Sequence, residues 1–224
     1  MPEISIREKH YLKVYENARL IFVGGVSAAG KSTLCNLLYE KYDVENRRLH
    51  HYALDFAKET NVPNIDENWD ILANIGMFRL GNEVVKQGKL SCDIHFAVQP
   101  NLDTAYATGR EFKEDINETY IRGLSRTILQ GLSGQKLSLY FLLLNCDSSS
   151  ILQRRSYELE SLGKKPRSLD ILSIEKELFY EERYFYETLE DIPKEIPVFH
   201  KTTNNKNGKI SDVLRDIISF VGLT

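Results

Sequence analysis

The residues at positions 25–32, Gly-Val-Ser-Ala-Ala-Gly-Lys-Ser, carry the most specific chemistry in this sequence. They match the P-loop pattern G-x-x-x-x-G-K-[ST] in full. Two glycines let such a backbone curl until its N–H groups face a phosphate chain. The lysine then reaches the outer phosphates, and the hydroxyl after it holds Mg²⁺. The match predicts a solvent-facing, nucleotide-binding loop made of Gly25, Ser27, Ala28, Ala29, Gly30, Lys31, Ser32 and Thr33.

The segments on either side of this loop fit the prediction. Residues 20–23 (Leu-Ile-Phe-Val) form an apolar run typical of a buried strand, and Leu34, Leu37 and Leu38 follow at helical spacing. A strand, a glycine-rich turn and a helix bring the positive end of the helix towards the phosphates. A chance match in an ordinary turn is the competing interpretation, and both flanking segments count against it.

A P-loop by itself fits kinases, GTPases and ATP-driven motors equally well, so other segments must separate these classes. Asp93 lies in the short strand predicted at 90–96, where a carboxylate can orient Mg²⁺ through its waters beside Ser32. A solvated carboxylate near a strand end explains Asp93 equally well. A GTPase requires D-x-x-G near this point and N-K-x-D later, and neither stands at the matching place.

Basic residues cluster after the apolar strand predicted at 137–144. Arg154 and Arg155 lie about two turns into a helix that Asp147 or a serine caps. Phosphoryl transfer requires several cations to neutralise the charge of the moving group. We therefore favour a lid at about 154–170 that closes over the phosphates, rather than a solvated face paired with glutamates. The further cations of this cluster are Lys164, Lys165, Arg167 and Arg183.

Strands and helices alternate along the rest of the chain, which predicts an α/β fold: a three-layer α/β/α sandwich around a parallel five-stranded sheet. The polar residues 1–18 form an appendage ahead of the first strand. The turn at 203–208, rich in Asn and Gly, either offers backbone groups to a purine or is a plain turn. The other predicted elements are a strand at 47–53, helices within 67–87, a loop at 99–113, helices at 114–132, 148–160 and 168–190, a last strand at 197–200 and a closing helix at 210–221.

Composition narrows the class of protein. With 42% hydrophobic and 27% charged residues the chain is an ordinary globular domain, and its net charge of −3 argues against a broad basic face for nucleic acid. The cysteines stand in or beside apolar runs without a C-x-x-C pair, so we expect them to be buried and to bind no zinc. No signal peptide is visible, and the apolar run 139–144 is too short for a bilayer. A cytoplasmic protein is the expectation.

Taken together, these segments resemble the archaeal-type adenylate kinases, which belong to the nucleoside monophosphate kinases. The P-loop is one point of resemblance. Residues 92–98 (Cys-Asp-Ile-His-Phe-Ala-Val) are similar to the Asp-x-His segment of that family, and residues 152–155 (Leu-Gln-Arg-Arg) to its double arginine that opens the lid. Residues 205–208 (Asn-Lys-Asn-Gly) are similar to its adenine loop. The order and spacing of the four also agree.

The resemblance implies a P-loop kinase that converts ATP and AMP into two ADP. It implies that Lys31 and the loop amides bind the ATP phosphates, and that Ser32 and Asp93 serve Mg²⁺. Arg167 and Arg183 would neutralise the phosphates in flight, so that Lys31, Arg167 and Arg183 form the catalytic set.

The resemblance also implies contacts to the base of ATP. Arg154 would pack against the adenine, and Asn207 would border it. The kinase domain would occupy residues 19–224, with ATP and Mg²⁺ as cofactors and ATP and AMP as the nucleotide partners. Whether the protein forms a homo-oligomer is left open by the sequence.

The acceptor half of the sequence departs from the family. Residues 52–58 contain no arginine that could hold the phosphate of an acceptor nucleotide. Two alternatives therefore stand beside adenylate kinase. One is a P-loop kinase for another nucleotide or a small metabolite, and the other is a regulatory nucleotide-binding protein that hydrolyses ATP slowly.

Overall fold

The computed structural model describes most of the segments that matter for these predictions. The described residues are 18–63, 72, 75–76, 79–80, 83–84, 87–94, 137–161, 171–192, 194, 197–205 and 210–223. The loop predicted at 99–113 and the helix predicted at 114–132 lie outside them.

Five parallel strands form one sheet in the order β2-β3-β1-β4-β5. Helices follow the strands along the chain, and the described residues between 72 and 87 are also helical. The strands are β1 (Ala18–Gly24), β2 (Glu45–Arg48), β3 (Lys89–Asp93), β4 (Leu137–Asn145) and β5 (Val198–Asn204). The helices are α1 (Lys31–Tyr42), α2 (Leu49–Thr60), α3 (Ser148–Ser161), α4 (Ile171–Asp191) and α5 (Ile210–Val221).

The two faces of the sheet are buried in separate apolar clusters, as a sheet with helices on both sides requires. In β1, Leu20 and Phe22 point into one cluster together with Tyr184 of α4. Ile21 and Val23 point into the other cluster, which α1 and α5 complete. The predicted three-layer α/β/α arrangement with a parallel five-stranded sheet is therefore confirmed.

Some boundaries differ from the predictions. The second strand is β2, and the chain turns helical at Leu49, so the predicted strand 47–53 is wrong after Arg48. Tyr52 and Phe56 stand at i,i+4 spacing, which suits a helix, and four residues of β2 suffice to pair with β3. The sheet also takes in more chain than expected, because Ala18 begins β1 and β5 continues to Asn204.

The expectation that the cysteines are buried is confirmed. Cys35, Cys92 and Cys146 are buried, free thiols. Among the described residues, no helix combines the length and apolar character that a bilayer crossing requires.

The stacked pair of Phe22 and Phe141, with ring centroids 4.9 Å apart, joins the two central strands. We expect Phe141→Ala to lower the free energy of unfolding by about 3–5 kcal/mol, because it leaves a cavity in the core. Urea unfolding followed by circular dichroism measures this. Phe199, half exposed on edge strand β5, is the control. Its alanine variant should lose less than about 1.5 kcal/mol, and equal losses for the two variants would contradict this account of the core.

Candidate functional site

The loop between β1 and α1 leaves the middle of the sheet at its carboxyl edge. Its backbone needs glycine at both ends. A Cβ on Gly25, whose φ is +138°, would stand 2.7 Å from the carbonyl oxygen of Leu144. A Cβ on Gly30, whose φ is +104°, would stand 2.9 Å from the side-chain nitrogen Nδ2 of Asn205. Any other residue at these positions would clash or be strained, so the loop keeps a fixed curl in front of α1.

Lys31 folds back into this curl. Its amino group donates to the carbonyl oxygens of Gly25 at 2.7 Å and Val26 at 3.1 Å, and only 8% of the residue is exposed. Burial lowers the pKa of Lys31 from 10.5 to about 8, although the charges of Glu181 and Asp93 oppose the shift. The expectation of a solvent-facing lysine is therefore wrong. Its side chain lies inside the loop because those two carbonyl groups accept its hydrogen bonds.

Ser32 and Asp93 meet directly. The Ser32 hydroxyl donates to Asp93 Oδ2 at 2.7 Å. The sheet register brings the two side chains together. Asp93, the last residue of β3, pairs with Val23 of β1, and the loop begins shortly after Val23. Asp93 therefore lies against Ser32 at the start of α1, and its role in metal binding stays a prediction.

Two arginines of α3 tie the loop to the rest of the site. Arg154 donates to the carbonyl oxygens of Ala28 and Asn205, both at 3.1 Å, and so bridges the loop and the chain after β5. Arg155 donates to the carbonyl oxygen of Ser27 at 3.2–3.3 Å. As predicted, Asp147 caps this helix, since its carboxylate accepts from the backbone N–H of Ser150 at 2.8 Å.

Helix α4 supports the loop from the other side with two glutamates. Glu181 is buried and accepts from the backbone N–H of Gly25 at 2.9 Å. Glu177 holds Arg155 through two hydrogen bonds of 2.7 and 3.1 Å. Burial and the neighbouring Glu181 raise the pKa of Glu177 to about 8, and burial lowers the pKa of Arg155 to about 10. The two hydrogen bonds from Arg155 to Glu177 fix the position of the guanidinium against the loop.

These side chains surround a cavity of about 520 Å³ at the carboxyl edge of the sheet. Such an edge is where ligands bind in open α/β sheets. Its described lining residues are Ser27, Ala28, Gly30, Lys31, Ser32, Thr33, Asp93, Arg154, Glu158, Asn205 and Ile210.

A second cavity, of about 580 Å³, lies around the edge strand β2 and the start of α2. Its cation, Arg47, contacts the carboxylates of Glu83 and Glu45, and the Tyr52 hydroxyl also donates to Glu83. The charge of Arg47 is therefore already compensated. The described lining residues are Asn36, Asn46, Arg47, His51, Tyr52 and Asp55.

The structure brings most of the predicted residues together and leaves one elsewhere. The P-loop residues, Asp93 and Arg154 lie in or beside the first cavity. Arg183 is on α4, half exposed, in an ion pair of 2.8 Å with Glu187, and is not among the described residues that line the cavity. Arg167 and Asn207 lie outside the described residues.

Sequence reasoning missed the residues that support the loop. Glu181 was not assigned a place in the site, and Glu177 was considered only among the glutamates that could pair with the basic cluster. Arg155 and Asn205 were placed in the lid and in the adenine loop, and not as supports of the P-loop. A signal for Glu181 did exist, because it stands one heptad after Ile174, on the same helical face as Phe185. A carboxylate on the buried face of a helix requires a partner, and here that partner is the loop.

No family model and no curated protein matches this chain. Solved structures with a similar fold are known. One is a candidate kinase from Chloroflexus aurantiacus, with a TM-score of 0.52 and 10% identity over 93% of this chain and 98% of that one. Another is the tunicamycin resistance protein of Deinococcus radiodurans, with a TM-score of 0.51 and 13% identity over 92% and 97%. At these identities the likeness concerns the fold alone, and it agrees with the predicted three-layer α/β/α fold.

The contact between Glu181 and Gly25 yields a prediction. Glu181→Ala removes the acceptor of a buried N–H group, which should cost about 1–3 kcal/mol of stability. It should also speed amide hydrogen exchange at residues 25–30, measured by mass spectrometry. Glu182→Ala, one residue further along on the exposed side of α4, is the matched control and should change neither quantity. Unchanged exchange in the Glu181 variant would show that this carboxylate does not hold the loop.

Proposed function

We propose that this protein is an ATP-dependent phosphotransferase that acts as a nucleoside monophosphate kinase, with AMP as the first acceptor to test. One observation carries the proposal. The buried amino group of Lys31 and the hydrogen-bonded pair of Ser32 and Asp93 line the same cavity at the mouth of a complete P-loop. Such an arrangement supplies a cation and oxygen ligands side by side, as the binding of a nucleoside triphosphate with its metal ion requires.

The loop and Lys31 would bind the phosphates. The curl fixed by Gly25 and Gly30 opens onto the first turn of α1, whose N–H groups and dipole favour an anion. On binding, the Lys31 ammonium would exchange its carbonyl partners for oxygens of the β- and γ-phosphates. The Glu181 carboxylate keeps the other side of the loop in place during this exchange, because it holds the backbone N–H of Gly25.

The donor set suits Mg²⁺. Ser32 and Asp93 offer hard oxygen atoms, and Mg²⁺ usually takes only one or two protein ligands together with phosphate oxygens and waters. The described residues contain no group of three or more His, Cys, Asp or Glu that could hold a metal alone, which agrees with a metal that arrives with its nucleotide. When bound, Mg²⁺ would neutralise charge on the phosphates.

The far side of the cavity fits the base of ATP. Arg154 lies on this wall with a planar guanidinium able to stack on an aromatic ring. Asn205 is buried beside it, and its side-chain oxygen has no hydrogen-bond partner among the described residues. An amino group on a purine is the kind of donor that such an oxygen lacks. The proposed role of Asn207 rests on the resemblance.

Phosphoryl transfer itself needs little covalent chemistry from the protein. The chain has to align donor and acceptor, exclude water and neutralise the charge that spreads over the moving group. Lys31 serves the donor side. Arg167 and Arg183 are proposed for the moving group on the resemblance, and Arg183 would first have to leave Glu187.

The second cavity favours another candidate within the same class, a kinase for a neutral, hydroxyl-bearing acceptor. The described lining offers amides, an imidazole, a phenol and a carboxylate, and its Arg47 is already paired with two carboxylates. A lining of this kind suits hydrogen bonds to hydroxyl groups better than the dianionic phosphate of a nucleotide.

A substrate panel tests the proposal. ATP and Mg²⁺ are incubated with each nucleoside monophosphate and with neutral polyols, and products are quantified by chromatography. Rapid formation of ADP together with a nucleoside diphosphate supports the first candidate, and a phosphorylated polyol supports the second. Release of inorganic phosphate alone, at a slow rate, would overturn both and indicate a regulatory ATPase. Lys31→Met, which should be inactive, controls for contaminating kinases.

The lowered pKa of Lys31 predicts a pH dependence of ATP binding. As the pH rises through about 8 the amine loses its proton, whereas the phosphates are already fully ionised. The affinity for a non-hydrolysable ATP analogue should therefore fall by up to about tenfold per pH unit above 8. Calorimetric titration from pH 7 to 10 measures this.

A control separates Lys31 from its neighbours. Glu177 titrates in the same range and would act in the same direction, since its new negative charge also repels phosphate. Glu177→Gln should keep the slope if Lys31 is the source. The other charged or titratable groups around the amine are Glu181, Asp93, Arg155 and Cys35. A flat profile for the unmodified protein would contradict the proposed contact between Lys31 and phosphate.

Asp93→Asn keeps the size of the side chain and removes the charge that would hold the waters of Mg²⁺. Turnover at low Mg²⁺ should fall more steeply than turnover at saturating Mg²⁺. Asp43→Asn, in the exposed turn after α1, is the matched control, because asparagine tolerates its left-handed backbone. If the Mg²⁺ titrations of both variants equal that of the unmodified protein, Asp93 serves only Ser32.

A further inference from the structure

The outer face of α4 carries large apolar side chains that the described core does not cover. Leu172, Phe179 and Tyr186 follow one another at heptad spacing, and they are 76%, 61% and 44% exposed. At about 100° per residue they form one stripe along the helix. This stripe lies opposite the face on which Glu181 and Phe185 are buried. Large apolar side chains that are exposed along one face of a long helix mark a surface for packing against another element.

Charges of opposite sign flank the stripe. Glu175 and Glu182 stand three residues after Leu172 and Phe179, which places them on one side. Lys176 and Arg183 stand four residues after the same two, which places them on the other side. One edge of the stripe is therefore acidic and the other basic, and all four side chains are exposed.

We propose that this stripe pairs with the same stripe of a second copy of the chain, with the two α4 helices parallel and related by a twofold axis along them. Such an axis brings each stripe residue next to its own equivalent, as an isologous interface requires. It also turns the basic edge of one copy towards the acidic edge of the other. Lys176 then meets Glu175 of the second copy, and Arg183 meets Glu182 of the second copy.

The charges select the parallel arrangement. An antiparallel pair, with its twofold axis across the helices, would set the basic edges of both copies against each other and the acidic edges likewise. Like charges in such positions repel. Along a straight helix, residues at heptad spacing rotate about the helix axis by about 20° per heptad. The usual left-handed crossing of parallel helices compensates for this rotation.

The charged residues at the edges of the stripe already make contacts within their own copy. Arg183 now bonds Glu187 on the surface of its own helix, and Glu175 accepts from the Ser148 hydroxyl at 3.3 Å. Exposed contacts of this kind contribute little and are readily shared. One apolar residue per heptad makes a small interface, so the dimer dissociates on dilution.

Sedimentation equilibrium over a range of concentrations tests the proposal. The mass should rise from that of one chain, 25.8 kDa, to twice that value. Phe179→Glu should raise the dissociation constant at least about thirtyfold, as expected for a central aromatic residue of an interface. Tyr39→Glu, at an exposed aromatic position on α1, is the matched control and should not change it. A protein that stays monomeric at every concentration overturns the proposal.

A charge exchange tests the flanks without touching the apolar stripe. The double variant Lys176→Glu with Arg183→Glu is acidic on both edges, and Glu175→Lys with Glu182→Lys is basic on both edges. Each should be monomeric alone, and their mixture should form a heterodimer. A mixture that fails to associate, while the unmodified protein dimerises, would overturn the proposed interface.

Introduced cysteines decide the direction of pairing. The native thiols are buried, so Leu172→Cys adds an exposed thiol to the described surface. In the parallel dimer this variant alone forms a disulfide between its two copies under mild oxidation. A disulfide that forms only when Leu172→Cys is mixed with Tyr186→Cys would show an antiparallel pair and overturn the arrangement. None of these tests depends on kinase activity.

Discussion

The buried amino group of Lys31 is the constraint on which the candidate site depends. Lys31 is only 8% exposed, so its ammonium group needs hydrogen-bond acceptors from the protein, and the loop supplies the carbonyl oxygens of Gly25 and Val26. Those carbonyls point inwards because the backbone curls between two glycines with positive φ. The lysine therefore holds the loop closed around itself and at the same time stores a positive charge where a phosphate would bind.

Carboxylates from other elements make this burial tolerable. Glu181 and Asp93 both act to keep the proton on Lys31, and burial still lowers its pKa to about 8. Glu181 reaches the loop from α4 and Asp93 from the end of β3, so the charge balance of the site requires the parallel sheet and the long helix together. Helix α4 accordingly has two roles in this account: its inner face supports the loop, and its outer face pairs with a second copy.

Local patterns predicted the part of this arrangement that local chemistry determines. The motif at residues 25–32 specifies the glycines at which the loop curls, and the apolar runs of β1 and β4 could be recognised as inner strands because both of their faces are buried. The end of β2 could not be placed, since four residues of an edge strand carry too short a pattern to separate from the helix that follows. Lys31 was expected in solvent because a motif gives residue types and not the direction of a side chain.

Support from distant parts of the chain was harder to recognise. Glu181 lies far along the chain from the Gly25 amide that it accepts from, and only the fold brings them together. The same helix shows why Arg183 was assigned to the site. Its charge suits phosphate, but it stands two residues after Glu181, which turns it to the opposite face of α4. Residue type predicted a role there, and in this structure Arg183 lies on the outer face of α4, paired with Glu187.

A crystal structure with Mg²⁺ and a non-hydrolysable ATP analogue shows where the Lys31 amino group lies when phosphate is bound. If this buried ammonium is the phosphate-binding cation, it leaves the carbonyl oxygen of Gly25 and lies within about 3 Å of a β- or γ-phosphate oxygen. Glu181 is expected to keep its hydrogen bond from the Gly25 N–H. A nucleotide bound away from the loop, or a lysine that keeps its two carbonyl partners beside the bound phosphates, would contradict this role of Lys31.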